Sequence, residues 1–294
     1  MGIRVTQSAV NRGYDGDLQS IYAKMAKAQK QIATGVRVNT GSDDPYASGQ
    51  IISYNSQLAN IAQYRENAAQ SVSLLDAADS ALDTASSALR EIHNLALRAA
   101  NDTNGVADRT AIAAQITQLK EVVRDSMNAK MGDTYLFGGT ASGAAPYPAP
   151  GNTYVGSTNV MTRRVGDGVA VNVNADGSTI FGPAGANVLD EIDQLVLDVG
   201  AGSSAGIQTD LGSIESLITG VTAGRTQLGG VAARLESIQT SLDLTEERLQ
   251  SAVTDARDAD PTEAYMEFSQ QQTMYQAALA AGTRMMQTSI LDFI

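Results

Sequence analysis

The chain has no cysteine and no tryptophan, one histidine, and only 5% aromatic residues among its 294 residues. Without cysteine it can form neither disulfides nor thiolate metal sites, and thiol catalysis is excluded. A single imidazole cannot build a histidine-rich metal centre either. Because large aromatic side chains are rare while Ala, Gln, Ser, Thr and Asp are plentiful, we predict long helices with narrow apolar seams rather than a thick core. No cofactor is expected.

Positive charge is also scarce, since 20 Lys and Arg stand against 32 Asp and Glu, which gives a net charge of −12. Such a field repels nucleic acid and anionic membranes, so neither is an expected partner. The balance differs between the ends: residues 1–40 contain six basic and two acidic residues, whereas residues 255–294 contain six acidic and two basic residues. No apolar run approaches the roughly 18 residues of a membrane span, and the first residues lack the apolar core of a secretory signal.

The strongest pattern is an apolar seam from Ile61 to Ala99. Apolar residues recur there at alternating steps of three and four, interrupted only by Ser71. A 3.5-residue repeat kept over about five heptads turns one face of a long helix toward a partner helix. Shorter seams run from residue 112 to 127 and from 228 to 256. These seams predict an antiparallel helical rod whose partner helices are far apart in the sequence.

Composition changes between residues 137 and 185, where Gly, Pro, Asn, Thr and Val dominate. Three valines, at 169, 171 and 173, alternate after the turn-like GDG at 166–168, and NADG at 174–177 predicts a second hairpin turn. Helical spacing returns at 187–199. We therefore expect a small β-rich insertion carried at the tip of the helical rod.

The sequence thus predicts a mainly α fold, an elongated antiparallel helical rod of coiled-coil-like bundle type, built from both ends of the chain. The expected division is an N-terminal helical arm, 1–44, that pairs with a C-terminal arm, 259–294; an α-helical rod from 45–136 and 186–258; and the β-rich insertion, 137–185.

The two arms carry only weak seams. We expect the terminal-arm interface to consist of Leu18, Ile21, Met25 and Ile32 on one side and of Phe268, Tyr275, Leu279, Met286, Leu291 and Phe293 on the other. Isolated helices with so few apolar contacts are marginal, because nucleation is costly. Opposite charge would let the arms pair with each other, and the apolar C-terminus could equally be buried against a neighbouring subunit. Both interpretations stay open at this point.

Two motifs imitate functional signatures. GSSAG at 202–206 fits the Gly-x-Ser-x-Gly nucleophile elbow, but the only histidine, His93, precedes the serine, against the order of that fold. NVNADG at 172–177 matches the first half of a calcium loop, but Pro183 stands where a bidentate Glu is required. We interpret the first as a helix connection and the second as a turn.

Acidic residues at 76, 79 and 83 are interpreted as a solvated helix face. The sequence offers no set of residues in an arrangement known from catalytic sites. We therefore expect a structural subunit of an assembly and not an enzyme.

The stretch ATGVRVNTGSDDPYASGQ, residues 33–50, interrupts the helical pattern near the start of the chain. Gly35 suits a left-handed cap that ends the first helix. Ser42 or Asp44 can cap the next helix, with Asp43 and Asp44 facing its positive N-terminus, and Pro45 is tolerated in its first turn. Residues 33–45 are therefore predicted to form a stiff elbow.

The stretch ATGVRVNTGSDDPYASGQII resembles the N-terminal signature of the bacterial flagellin superfamily. The resemblance continues through NIAQYRENAAQSVSLLDAADSALDTASSALREIHNLALRAANDT and resumes from RTQLGGVAARLESIQ to the final SILDFI, so it covers about two thirds of the chain. GDTYLFGGTASGAAPY at 132–147, SDDP and SILDFI resemble the hook-filament junction branch of that superfamily. By this resemblance the elbow would be fixed by Gly35, Arg37, Asn39, Asp43, Asp44 and Pro45.

The resemblance implies a non-catalytic axial protein of the flagellum, exported to the cell exterior by the flagellar type III apparatus without a cleaved signal peptide. It would form a homo-oligomeric ring at the hook-filament junction, between the first hook-associated protein and flagellin. A cytoplasmic export chaperone would hold the C-terminal arm before secretion. The alternatives are a short filament flagellin and, more remotely, a cytosolic signalling coiled coil.

Overall fold

A computed structural model describes residues 7–101, 105–183 and 185–291, with side chains for 12–101, 105–183 and 185–283. The predicted mainly α fold is confirmed. The helices are α1 (Gln7–Thr34), α2 (Pro45–Ala99), α3 (Val106–Met127), α4 (Gly177–Phe181), α5 (Val188–Ala201), α6 (Ser204–Arg257) and α7 (Pro261–Leu291). The strands are β1 (Lys130–Met131), β2 (Thr134–Tyr135), β3 (Thr162–Gly166) and β4 (Val169–Asn172). Over these residues no helix is both long and apolar enough to cross a membrane.

The chain divides into two compact units. One combines Met1–Ala59 with Glu246–Ile294 and therefore holds α1, α7 and the adjoining ends of α2 and α6. The other, Asn60–Thr245, holds the remaining elements. Each unit contains segments from both halves of the sequence, so neither can fold from one half of the chain alone.

The core of the second unit is built on the heptad seam of α2. Leu75, Leu82 and Leu89 are buried, and so is Ser71, the one polar member of the seam. Its hydroxyl donates to the backbone oxygen of Asn67 at 2.6 Å, which satisfies the buried group within the helix. The same cluster contains Ile112, Ile116, Val123 and Met127 of α3, Val188, Leu189, Ile192, Leu195 and Val199 of α5, and Ile207, Ile214, Val221, Leu228 and Leu235 of α6.

Helices α2 and α6 run antiparallel in this unit. Arg225 of α6 pairs with Asp79 at 2.8 Å and with Asp83, whereas Arg65, further toward the start of α2, pairs with Asp243, further toward the end of α6. The interpretation of these acids as a purely solvated face is therefore wrong for 79 and 83, because both bind a guanidinium across the helix pair.

The segment 137–185 contains little regular β structure. Strands β3 and β4 form an antiparallel hairpin around the GDG turn, with Gly166 opposite Val169. The predicted second hairpin turn at NADG is wrong: Asp176 caps α4 by accepting from the Ser178 N–H at 2.9 Å. Outside the hairpin, aromatic side chains of this segment pack against one another. Phe137 meets Phe181 edge-on, with ring centres 5.2 Å apart.

Candidate assembly interface

The first feature of the elbow is the end of α1. Gly35 adopts φ +70°, and its N–H still bonds to the Gln31 oxygen at 2.8 Å, so the glycine ends the helix in the left-handed region. The chain beyond it pairs with the connection between α6 and α7. The N–H groups of Arg37 and Val38 both donate to the Arg257 oxygen, at 2.7 and 3.2 Å, and the Ala259 N–H donates to the Gly35 oxygen at 2.9 Å.

Arg37 reinforces this pairing with its side chain. One guanidinium nitrogen donates to the backbone oxygen of Ala256, in the last turn of α6, at 2.8 Å. Another donates to Asp44 at 3.1 Å. A cation near unsatisfied carbonyls at a helix C-terminus is favourable, so this one side chain links the elbow to both long helices.

The two aspartates of the elbow have different tasks. Asp44 accepts from the Ala47 N–H at 3.0 Å and so caps α2, and this bond, with that from Arg37, lowers the pKa of Asp44. Pro45 follows as the first helical residue, where a missing N–H has no partner to lose.

The sequence predicts Asp43 at the N-terminus of α2, but Asp43 closes the preceding turn instead. Its Oδ2 accepts from the N–H groups of Thr40 at 2.9 Å and Asn39 at 3.1 Å, and these bonds together with that from the Thr40 hydroxyl lower its pKa. The Asn39 side chain donates back to the Val36 oxygen at 3.2 Å. Ser42 was a candidate cap, but its hydroxyl lies 3.1 Å from that of Thr40.

Helices α1 and α7 pack against each other in antiparallel fashion. The Tyr14 hydroxyl donates to the Ala278 oxygen at 2.7 Å, and the rings of Tyr22 and Tyr275 lie 6.2 Å apart. The inner face of α7 follows alternating steps of four and three through Ala264, Phe268, Gln271, Tyr275, Ala278 and Gly282. On α1 the inner positions are Tyr14, Leu18, Ile21, Met25, Ala28 and Gln31.

The structure places most, but not all, of the predicted arm residues in this seam. Leu18, Ile21, Met25, Phe268 and Tyr275 are half-buried at inner positions. Two residues are not in it, because Ile32 is 42% exposed and Leu279 is 43% exposed. The inner positions at those turns belong to their neighbours Gln31 and Ala278, one residue earlier. The side chains of Met286 and Leu291, and the whole of Phe293, lie outside the described residues.

Gly282 has a packing role that the apolar pattern of the sequence does not predict. A Cβ at this position would overlap the ring of Tyr14, so the glycine allows the tyrosine to lie against the α7 backbone. A glycine in the otherwise helical run ALAAGTR was the available signal, since glycine inside a helix often marks a close approach.

The paired arms leave apolar side chains uncovered. The exposed large apolar residues of α1 and α7 that the structure describes are Tyr22, Ile32, Tyr265, Met266, Met274 and Leu279. Apolar surface of this kind commonly marks contacts with other proteins. The two helices therefore cover one side of each other and leave apolar side chains exposed on their other sides.

The two imitating motifs have structural roles. GSSAG connects α5 to α6, with Gly202 as a left-handed cap at φ +71°. In NVNADG both oxygens of Asp176 bind groups of α4, namely the Ser178 N–H and the Thr179 hydroxyl. Within the residues that the structure covers, no group of three or more His, Asp or Glu side chains could hold a metal ion.

Long helices from both halves of the sequence, joined through an elbow, define the class of mainly helical proteins to which this chain belongs. The profile of the bacterial flagellin N-terminal helical region matches residues 13–142, and that of the C-terminal helical region matches residues 211–294. The chain belongs to the bacterial flagellin family, as the resemblance predicted.

Individual relatives fall in two branches of the family. A flagellin of Halalkalibacterium halodurans is 26% identical over 266 residues, which cover 86% of this chain and 85% of the relative. Flagellar hook-associated protein 3 of Escherichia coli (strain K12) is 27% identical over 235 residues, covering 79% of this chain and 69% of the relative. A solved structure of a Vibrio parahaemolyticus protein described as hook-associated matches 74% of this chain and 100% of its own, with TM-score 0.69 and 24% identity. That structure supports the fold.

Proposed function

We propose that this chain is the structural junction protein that joins the hook-associated zone of a bacterial flagellum to the flagellin filament. The observation that carries the proposal is the pairing of α1 with α7. The first and the last helix of the chain pack side by side and leave apolar side chains exposed. A subunit with such ends gains by assembling with other subunits, because assembly removes this surface from water.

The segment 132–147 favours the junction branch over filament flagellin. This segment resembles the junction branch in sequence, and it is built into the fold rather than left as a surface loop. Leu136, Phe137 and Tyr147 are buried. Gly139 has φ +63°, and a Cβ there would overlap the backbone oxygen of Ser157.

The elbow residues Gly35, Arg37, Asn39, Asp43, Asp44 and Pro45 hold the assembly module in this proposal. In this proposal the chain has three parts. The arms are residues 1–44 and 259–294, the helical rod is 45–136 and 186–258, and the β-rich insertion is 137–185. The bonds from Arg37 to Ala256 and Asp44 support the assignment, because they fix the elbow to the ends of both long helices.

The partners follow from the same role. Copies of the chain form a homo-oligomeric ring, which contacts the first hook-associated protein on one side and flagellin on the other. The protein reaches the outside of the cell through the flagellar export apparatus. Before export a cytoplasmic chaperone covers the C-terminal arm, where Tyr265 and Met266 offer apolar surface.

Deletion of the gene in the source bacterium tests the proposal. We expect cells with complete hooks but no filaments, and flagellin lost to the medium. Expression of the intact chain from a plasmid should restore filaments. Normal filaments in the deletion strain would reject the junction role.

A short filament flagellin is the second candidate, and the match across 86% of this chain to the Halalkalibacterium halodurans flagellin favours it. The two candidates differ in self-assembly. A flagellin added to filament seeds under polymerising conditions elongates them, whereas a junction protein stops after short or no growth. Long filaments made of this chain alone would favour the flagellin. The cytosolic coiled coil is not retained, because the family match includes both ends of the chain.

A further inference from the structure

Two carboxyl groups meet where α5 turns into α6. Asp198 lies on α5 and Asp210 on α6, and Asp210 is only 4% exposed. Gly206 lies one helical turn before Asp210, on the same face of α6. A Cβ at position 206 would be 2.5 Å from Cγ of Asp198, so the Asp198 carboxyl group rests directly on the α6 backbone. From there it is within hydrogen-bonding reach of Asp210.

The contact between these groups requires a proton. Two ionised carboxylates have only acceptor oxygens and repel each other, so a hydrogen bond between them needs one protonated partner. The Oδ2 atom of Asp210 is buried and has no hydrogen-bond partner, which makes a full negative charge there costly.

The surroundings place the proton on Asp210. The Asp198 carboxylate accepts from the Gln194 side chain at 3.0 Å and lies beside the first turn of α6, where the helix dipole favours negative charge. Burial raises the pKa of Asp210 to about 6, and the negative charges of Asp198 and then Glu191, both on α5, add to the rise. From α3, the guanidinium of Arg109 packs against Gly202 at the end of α5.

We propose that Asp198 and Asp210 share one proton and form a proton-binding site that locks α5 onto α6. With the proton bound, the two side chains are joined by a hydrogen bond. When the proton leaves, the Asp210 carboxylate is exposed to the negative charges of Asp198 and of Glu191, both on α5. The lock is therefore closed in acid and released in alkali, which makes the stability of the Asn60–Thr245 unit depend on pH.

Carboxyl-carbon NMR of the intact protein, labelled with 13C at the aspartate side chains, measures the proton directly. We expect the Asp210 signal to titrate with a midpoint near 6. In Asp198→Asn that midpoint should fall, because the neighbouring negative charge is gone. An Asp210 midpoint near the ordinary value of about 3.9 in the unchanged protein would overturn the proposal. This measurement needs no variant, so it stands even where a substitution prevents folding.

Thermal unfolding supplies the second readout. In the unchanged protein the melting temperature should fall between pH 5 and pH 8. Asp210→Asn removes the buried charge and should melt higher than the unchanged protein at pH 8, with a weaker pH dependence. The control, Glu215→Gln, removes the same charge from an exposed position of α6 and should follow the unchanged protein. Parallel pH curves for Asp210→Asn and the unchanged protein would overturn the lock.

Addition of calcium chloride tests whether the corner formed by Asp198 and Asp210 binds a proton or a metal ion. The proposal expects millimolar calcium at pH 8 to leave the melting temperature of the unchanged protein where it was. If calcium raises that temperature, and does not do so in Asp210→Asn, the corner is a cation site and the proton lock is wrong.

Discussion

The guanidinium of Arg37 donates to the backbone oxygen of Ala256 at 2.8 Å, although the two residues are 219 positions apart in the sequence. The same side chain reaches Asp44, which caps the start of α2. One partly exposed arginine therefore joins the start of one long helix to the end of another. This relationship explains how an elbow of a few residues can hold its shape without a core of its own.

We expect Arg37→Ala to loosen the elbow. Amide hydrogen exchange at Val38 and Ala259 should become faster, because both N–H groups bond across the pairing that Arg37 supports. The free energy of unfolding should fall by only about 1 kcal/mol, since the side chain is partly exposed. The control, Lys30→Ala, removes an exposed positive charge from α1 and should leave this exchange unchanged. Equal exchange in the two variants would contradict the role of Arg37.

Gly35→Ala should destabilise the end of α1 by about 1–2 kcal/mol, because φ +70° is unfavourable for a residue with a Cβ. There is open space around the position, so the loss would come from the backbone alone. Gly41→Ala is the matched control, as that glycine also has open space but no positive φ. Urea unfolding followed by circular dichroism compares them, and equal midpoints would count against the left-handed cap.

Gly139→Ala should disrupt the packing of the 132–147 segment. Its φ is +63°, and a Cβ would overlap the backbone oxygen of Ser157, which cannot rotate away as a side chain could. We expect a loss of about 3 kcal/mol or more from strain and overpacking together. In Gly143→Ala the new methyl group meets no atom within 4 Å, so stability should stay close to that of the unchanged chain. Similar unfolding midpoints for the two variants would argue against a built-in segment.

Leu82→Asp should unfold the Asn60–Thr245 unit at room temperature or lower its melting temperature sharply. Leu82 is fully buried, so the change removes roughly 1.5–3 kcal/mol of apolar burial and also places a charge in the core. Leu97→Asp on the same helix is the control, since that side chain is 52% exposed. A melting temperature unchanged by Leu82→Asp would be decisive against the seam.

Features set by local pattern could be predicted from the sequence. The seam from Ile61 to Ala99 is buried as its spacing predicts, because a sustained 3.5-residue repeat leaves one choice of inner face. The left-handed Gly35 followed from the type of residue and its place at the end of a helical pattern.

Features set by tertiary register could not be predicted. In the weak arm seams a shift of one residue costs little, so the apolar pattern predicts Ile32 and Leu279 as inner residues, whereas Gln31 and Ala278 hold the inner positions. The sequence predicts a hairpin turn at NADG, because an aspartate that can begin a turn can equally cap a helix; in the structure α4 follows it. The ion pairs of Arg225 join α2 to α6 across 142 and 146 positions, beyond any local pattern.

The pairing of Arg225 with Asp79 should weaken in acid. Two guanidinium nitrogens reach the two carboxylate oxygens at 2.8 and 3.1 Å, and these bonds lower the pKa of Asp79 in the folded chain. A carboxylate with a lowered folded pKa stabilises the protein above its ordinary pKa, and this contribution is lost as the pH falls through the lower value. The expected direction is opposite to that at Asp210, where acid strengthens the corner.

A double-mutant cycle with Asp79→Asn and Arg225→Met measures this contribution. Because Asp79 is partly exposed and solvent screens the pair, we expect a coupling of about 0.5–1 kcal/mol at pH 7 that shrinks toward zero as urea unfolding is repeated in acid. Arg164 and Asp167 form the control pair, and the Asp167 side chain is 99% exposed, so its coupling should be close to zero at every pH. Coupling at Asp79 that grew on acidification would show that Arg225 holds the protonated acid rather than the carboxylate.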